Sequence, residues 1–326
     1  MTSSNHISKV AVVGAGANCG KHIAAALIAA GKHTVTAVTR EDSTTELPSG
    51  LHAVKEIDYE NPLTLVAAFE GQDAVVITLS GYATSDAQEK LIEAAVEAGV
   101  RYILPNEWSP DTANESLVND VFPFASKPKA RQQIISKGGN KTQYIAMTTG
   151  FWYEWSLAIA PAYGFDFANK SVTFFDDGET VINTSTWPQI GRAVAALLSL
   201  PILPVKETKG CLSDFGNQQV YISSFAVSQK DIFESVLRVT QTVKRDWSTT
   251  YEPSKQRYAN GLGEIKQGNK IGFAKMMYTR VFYQDGSGNY GKSKGTLNTL
   301  LGLPHEDLDE FTALAIERSK GPQWAH

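Results

Sequence analysis

Up to about residue 150, hydrophobic and polar positions follow two alternating rhythms. Lys9–Val13 is a short, β-branched apolar run that stops at Gly14. From Asn18 a helical rhythm carries Ile23, Ala26, Leu27 and Ala30 to Gly31. Thr34–Thr39 reads as a second strand ending at Arg40, Thr44–Gly50 as a polar loop, and His52–Tyr59 as a third strand. Pro62–Phe69 reads as a short helix with proline in its first turn. Asp73–Ser80 is an apolar strand of the kind buried on both faces of a parallel sheet. A helix from about Ser85 to Ala98, a strand Arg101–Pro105 and a long polar stretch to Pro123 follow. A helix from about Ser126 and a sixth strand, Gln143–Thr148, complete the series. This alternation predicts an α/β fold, a Rossmann-type doubly wound parallel sheet over residues 1–150.

Beyond Gly150 the rhythm changes. Phe151 to Trp155 is dense in aromatic residues. Val172–Phe175 and Glu179–Thr184 are expected to pair as antiparallel strands around an Asp177-Gly178 turn. Helices are expected over Gln189–Leu200, Gln229–Thr240 and Leu308–Arg318, with a strand at Val220–Ser223. Pro253–Tyr283 reads as helical but interrupted by Gly261, Gly263 and Gly268. The expectation is a smaller C-terminal α+β substrate lobe over residues 151–326, free to share elements with the first domain.

The opening strand, turn and helix have the form of a dinucleotide-binding unit. Gly14 permits the tight turn, Gly16 lets phosphates approach the backbone, and Gly20 lets the helix pack against the strand. The N–H groups and dipole at the helix start favour the pyrophosphate, so Ala17, Asn18 and Cys19 join the expected contacts. Arg40 stands where NAD-preferring folds carry an acid, and its guanidinium suits a 2′-phosphate. Leu79 and Ser80, followed by Gly81, end the fourth strand, and Thr149 and Gly150 end the sixth. Ligands bind at such carboxyl ends, so these residues are expected beside the cofactor.

Composition narrows the partners. With 326 residues and a formal charge of −4, the chain has a large core and no basic field for nucleic acid or acidic membranes. The polar N-terminus shows no signal peptide, and no apolar run is long enough to span a bilayer. The two cysteines, Cys19 and Cys211, suit a reducing cytosol and make no metal spacing, so a cytoplasmic protein without a metal is expected.

A nicotinamide enzyme needs a proton donor beside the hydride path. The Tyr-x-x-x-Lys pair of short-chain dehydrogenases is absent from its usual helix. The matches at Tyr251–Lys255 and Tyr290–Lys294 lie past the sheet and read as chance. Lys127, at a helix start before the sixth strand, is the better candidate. Helix dipole and burial would lower its pKa, and cofactor phosphates would raise it. It is equally readable as part of a solvated basic face with Lys129 and Arg131. Phe151, Trp152 and Tyr153 either line a flat substrate pocket or fill the joint between the lobes, and Met276 carries the same ambiguity.

These residues together resemble the NmrA-like, isoflavone-reductase-like family of atypical short-chain dehydrogenases. The resemblance rests on the Gly14–Gly20 turn, Arg40, Leu104–Trp108, Lys127 with Arg131, Thr149–Leu157, Ile190–Val194 and Leu301–Glu310. It covers essentially the whole chain and is similar to fungal members. The family's middle glycine falls on Ala17, and the plant Pro-Ser-Glu-Phe-Gly run is here Pro105–Ser109. That run places Trp108 at the floor of the substrate site.

The resemblance implies NADP(H) held through Arg40 and Lys127 as general acid or base. It also implies hydride transfer to an activated C=C, C=N or C=O of a small aromatic or polycyclic metabolite in secondary metabolism. The family also holds cofactor-sensing proteins that bind a transcription factor instead of turning over a substrate, so a protein partner belongs to that second reading. Homodimerisation stays open.

Overall fold

The computed structural model describes residues 4–80, 83–206 and 209–321; Gly81 falls outside them. Six parallel strands lead the fold: β1 (Lys9–Val13), β2 (Thr34–Arg40), β3 (Ala53–Ile57), β4 (Ala74–Ile77), β5 (Tyr102–Leu104) and β6 (Gln143–Thr148). Between them run α1 (Asn18–Ala29), α2 (Pro62–Phe69), α3 (Ala87–Glu97), α4 (Glu115–Asp120) and α5 (Ser126–Gly138). A strand from the C-terminal half, Gln218–Tyr221, pairs in parallel with β6. The seven-stranded order is therefore Gln218–Tyr221, β6, β5, β4, β1, β2, β3. The order reverses between β1 and β4, which opens a crevice beyond their carboxyl ends.

Each buried strand feeds two cores, as a period of two residues requires. Val10 and Val12 of β1 face one way, with Ala74, Val76, Tyr102 and Leu104. Ala11 and Val13 face the other, with Val75, Ile77 and Ile103, under α2, α3 and α5. The first core runs into the C-terminal half. There the helix Trp187–Leu198 lies against α1, and a Cβ on Gly191 would stand 2.3 Å from the His22 carbonyl oxygen. That glycine is what allows the two backbones to approach.

One expectation is corrected. The Asp177-Gly178 turn forms, Gly178 N–H donating to Phe175 O at 3.0 Å, but the flanking strands do not pair with each other. Ser171–Phe175 is joined in parallel by Ser248–Glu252 and antiparallel by Phe165–Asp166. Ile182–Ser185 lies between Phe151–Trp152 and Phe225–Val227. The reason is that Ser248–Glu252, a largely exposed and polar strand, takes the free edge, and Asp176 N–H donates to Glu252 O at 2.9 Å. The polar stretch before Pro123 is partly enclosed. Glu107, Ser109, Asp111 and Thr112 are buried, and α4 follows, capped by Asn114. Hydrogen bonds within the stretch, and from Arg131, Gln219 and Tyr221, satisfy these polar groups, so burial costs little.

Candidate active site

The site starts at the turn after β1. Gly14 has φ +77°, and a Cβ there would lie 2.1 Å from the Thr78 carbonyl oxygen at the end of β4. Both the left-handed backbone and the contact demand glycine. A Cβ on Gly20 would lie 2.1 Å from Gly14 O, which is the close helix–strand packing expected of it. Gly16 has a different neighbour from the expected one. Its missing Cβ makes room for Thr45 and Glu46, at 2.6 and 2.7 Å from where it would stand, so the loop after β2 lies over the turn.

The start of α1 fits a pyrophosphate. Ala17 supplies no side-chain cap, and no acid stands in the first turn. The orphan backbone N–H groups of a helix start then face whatever enters. Cys19 is buried, and burial pushes its thiol well above the ordinary range, with the nearby Glu154 carboxylate adding to it. It packs the turn and is no nucleophile. Arg40 ends β2 beside the turn, since Gly14 N–H donates to Val38 O at 3.2 Å. Its side chain is 61% exposed, with Nε 3.5 Å from Asp42.

A chain of contacts links this turn to Lys127. Thr78 N–H and Oγ1 both donate to Val13 O, at 3.0 and 2.7 Å. Leu79 N–H donates to Asn106 Oδ1 at 3.2 Å, and Asn106 Nδ2 donates back to Leu79 O at 3.4 Å. The Asn106 carbonyl oxygen then accepts Lys127 Nζ at 2.7 Å, and the Glu107 carbonyl oxygen accepts it at 2.6 Å. Lys127 sits in the first turn of α5, partly buried. Burial first, and Arg131 second, lower its pKa to about 8, against an opposing pull from Glu107. The amine therefore exchanges a proton near neutrality, as a general acid or base must.

The remaining predicted residues divide. Ser80 is exposed at the end of β4, and Leu79 is partly buried there. Thr149 and Gly150 are enclosed, their N–H groups both donating to Ser109 O at 3.1 and 3.2 Å. Trp108 is buried, its indole N–H donating to Ile77 O at 2.8 Å.

Phe151 stays close to the lysine segment. Its ring lies 6.3 Å from that of Phe124, three residues before Lys127, and 4.2 Å from Tyr278. Trp152 is partly buried, 5.8 Å from Trp187.

Tyr153 and Met276 are fully buried, and the Tyr153 hydroxyl is paired with Thr312 Oγ1 at 2.7 Å. Both belong to the apolar core that runs into the C-terminal half.

Sequence reasoning missed Phe122, which is 55% exposed and meets Phe273 edge-on at 5.9 Å. It lay inside the stretch read as polar. The ion pair of Arg131 with Glu107, 2.7 Å, was also missed, although both residues stood in quoted motifs. The Tyr290 hydroxyl donates to Ile222 O at 2.7 Å. Among the described residues no cluster of three or more His, Cys, Asp or Glu forms a metal site, and no helix is long and apolar enough to cross a membrane.

Fold and turn define a Rossmann-type dinucleotide-binding protein. An NAD(P)H-binding family profile matches residues 14–122. Oxidoreductase aprR of Aspergillus flavus is 28% identical over 311 residues, covering 95% of this chain and 99% of that protein.

Isoflavone reductase shares the fold, with TM-score 0.71, 18% identity, and 95% and 99% of the two chains covered. AtPrR2, solved with NADP+ and (+)-pinoresinol, gives TM-score 0.73 at 18% identity, covering 95% and 99%. The NADPH-dependent quinone oxidoreductase QOR2 of Escherichia coli, solved with NADPH, gives 0.65 at 18%, covering 93% and 98%. The chain thus carries an NAD(P)H-binding domain, is similar over nearly its whole length to a fungal oxidoreductase, and shares the fold of the isoflavone-reductase-like proteins.

Proposed function

We propose that this protein reduces an activated C=C, C=N or C=O of a small aromatic or polycyclic metabolite in secondary metabolism, with Lys127 as the proton donor. The observation that carries the reading is the Lys127 amine, held by two carbonyls at the end of β5 with its pKa lowered to about 8. NADPH, when bound, supplies the hydride. Arg40 selects its 2′-phosphate, and the turn at Gly14–Gly20 receives the pyrophosphate. Two of the three N–H groups of Lys127 are fixed on carbonyls, which aims the third at the substrate atom that gains negative charge. Phe122 and Phe151, on either side of this segment, suit a flat apolar ligand. The small-molecule ligands of the structural relatives, pinoresinol for AtPrR2 and quinones for QOR2, are of this kind.

The test uses a panel of aromatic enones, imines and quinones with NADPH oxidation followed in single turnover. Lys127→Ala should lose about 10²–10⁴-fold in hydride transfer with NADPH binding retained, and Lys129→Ala, which points elsewhere on the helix, should be unaffected. The proton donor is the ammonium form, so reduction should slow as pH rises through about 8. Normal reduction by Lys127→Ala overturns the assignment.

A further inference from the structure

The Glu107 carboxylate and the Lys127 ammonium are neighbours that do not pair. Lys127 takes the main-chain carbonyl of Glu107, at 2.6 Å, and not its carboxylate. That carboxylate is held from the other side. Arg131 Nη1 donates to Glu107 Oε2 at 2.7 Å, Thr112 Oγ1 donates to Glu107 Oε1, and Arg131 also donates to Thr112 Oγ1 at 2.7 Å and to its carbonyl oxygen at 3.1 Å. Glu107 is 1% exposed and Arg131 and Thr112 are buried as well, so water does not compete for these groups. Arg131 lies one helical turn beyond Lys127 and on the same side of α5.

We propose that Arg131 and Thr112 are positioning residues that sequester the Glu107 carboxylate, so that Lys127 faces a neutral ion pair and two carbonyl dipoles in place of a counter-charge. A lysine beside a lone buried carboxylate would form a salt bridge and stay protonated. With the carboxylate occupied, the same main chain orients the amine and leaves it free to give up its proton. Glu107 and Arg131 are the charged groups that act on Lys127, in opposite senses. Tyr144 of β6, Tyr221 and Asp111 face the pair from behind: Tyr144 and Tyr221 sense both its charges, and Asp111 pairs with the Tyr221 hydroxyl at 3.2 Å.

The inference rests on Lys127 as the proton donor, but it is tested without turnover. A limiting acylating reagent is applied to the intact protein from pH 6 to 10, and labelling of Lys127 is read by mass spectrometry against Lys129. The midpoint of the labelling curve reports the amine. Arg131→Gln exposes Lys127 to an unpaired carboxylate and should move the midpoint up, cutting labelling at pH 7 by about tenfold per unit moved. Glu107→Gln should move it down and speed labelling at pH 7. The double variant and Arg131→Lys should both return close to the parent.

Opposite movement is what a merely structural role does not produce. If Arg131→Gln fails to fold, Glu107→Gln, the double variant and Arg131→Lys still decide the matter. Midpoints that move the same way in Glu107→Gln and Arg131→Gln, or a midpoint in Glu107→Gln that does not fall, overturn the proposal. Should Lys127 prove not to be the proton donor, Lys127→Ala would turn over normally while these shifts persisted, so the two failures are distinct.

Discussion

Three capped helix starts in the C-terminal half differ in build from the two at the carboxyl edge of the main sheet. In the C-terminal half, Thr186 accepts the Gln189 N–H at 3.1 Å, Ser228 accepts the Asp231 N–H at 3.2 Å, and Asp307 accepts the Asp309 N–H at 2.9 Å. Asp231 returns a bond to the Ser228 N–H at 2.9 Å, which completes a capping box. At the carboxyl edge of the main sheet, α1 starts at Ala17 and α5 at Ala125, neither with a side-chain cap and neither with an acid in its first turn. Each of those three C-terminal helices has one of its first N–H groups satisfied by a side chain. At the two starts that face the crevice there is no internal anion, which suits an external one at α1 and a proton-exchanging lysine at α5.

The comparison can be broken by experiment. The largest effect after loss of Lys127 is expected at Arg40. A charge-assisted hydrogen bond contributes roughly 1.5–3 kcal/mol, so Arg40→Ala should weaken NADPH by about ten- to a hundredfold and leave NADH nearly unchanged in calorimetric titration. Equal losses for both coenzymes would remove Arg40 from the 2′-phosphate. Ala17→Asp gives α1 the cap and the negative charge that it lacks. The ligand-free protein should melt at the same temperature or slightly higher, while NADPH binding falls by about tenfold through repulsion of the pyrophosphate. A variant that binds as tightly as the parent would place the phosphates elsewhere. Ser228→Ala is expected to have the smallest effect, a loss of about 1 kcal/mol in denaturant unfolding with NADPH affinity unchanged. Loss of cofactor binding in that variant would show that the two sets of helix starts are not independent.

Much of this was legible in the chain. The main strands fall within three residues of their expected ends, because β-branched runs between glycine turns leave little choice of partner or face. Gly14 and Gly20 were legible for the same reason: one backbone conformation and one close approach admit no side chain. Long-range pairing was not legible. Nothing local in Ser248–Glu252 says that it will occupy the edge of Ser171–Phe175. Buried charge was also hidden, since Glu107 and Arg131 look like surface residues until each is seen to neutralise the other. The aromatic run showed its bulk but not its direction. Phe151 reaches towards the lysine segment while Tyr153, two residues on, is sealed against Thr312.

The central claim is that the dinucleotide and Lys127 share one crevice, joined through Thr78, Leu79 and Asn106. Acylation of the intact protein near pH 8, with and without saturating NADP+, tests it most directly because no substrate is needed. The account predicts that NADP+ shields Lys127 strongly and leaves Lys129 at its original rate. Equal labelling of Lys127 in the presence and absence of NADP+ would contradict it.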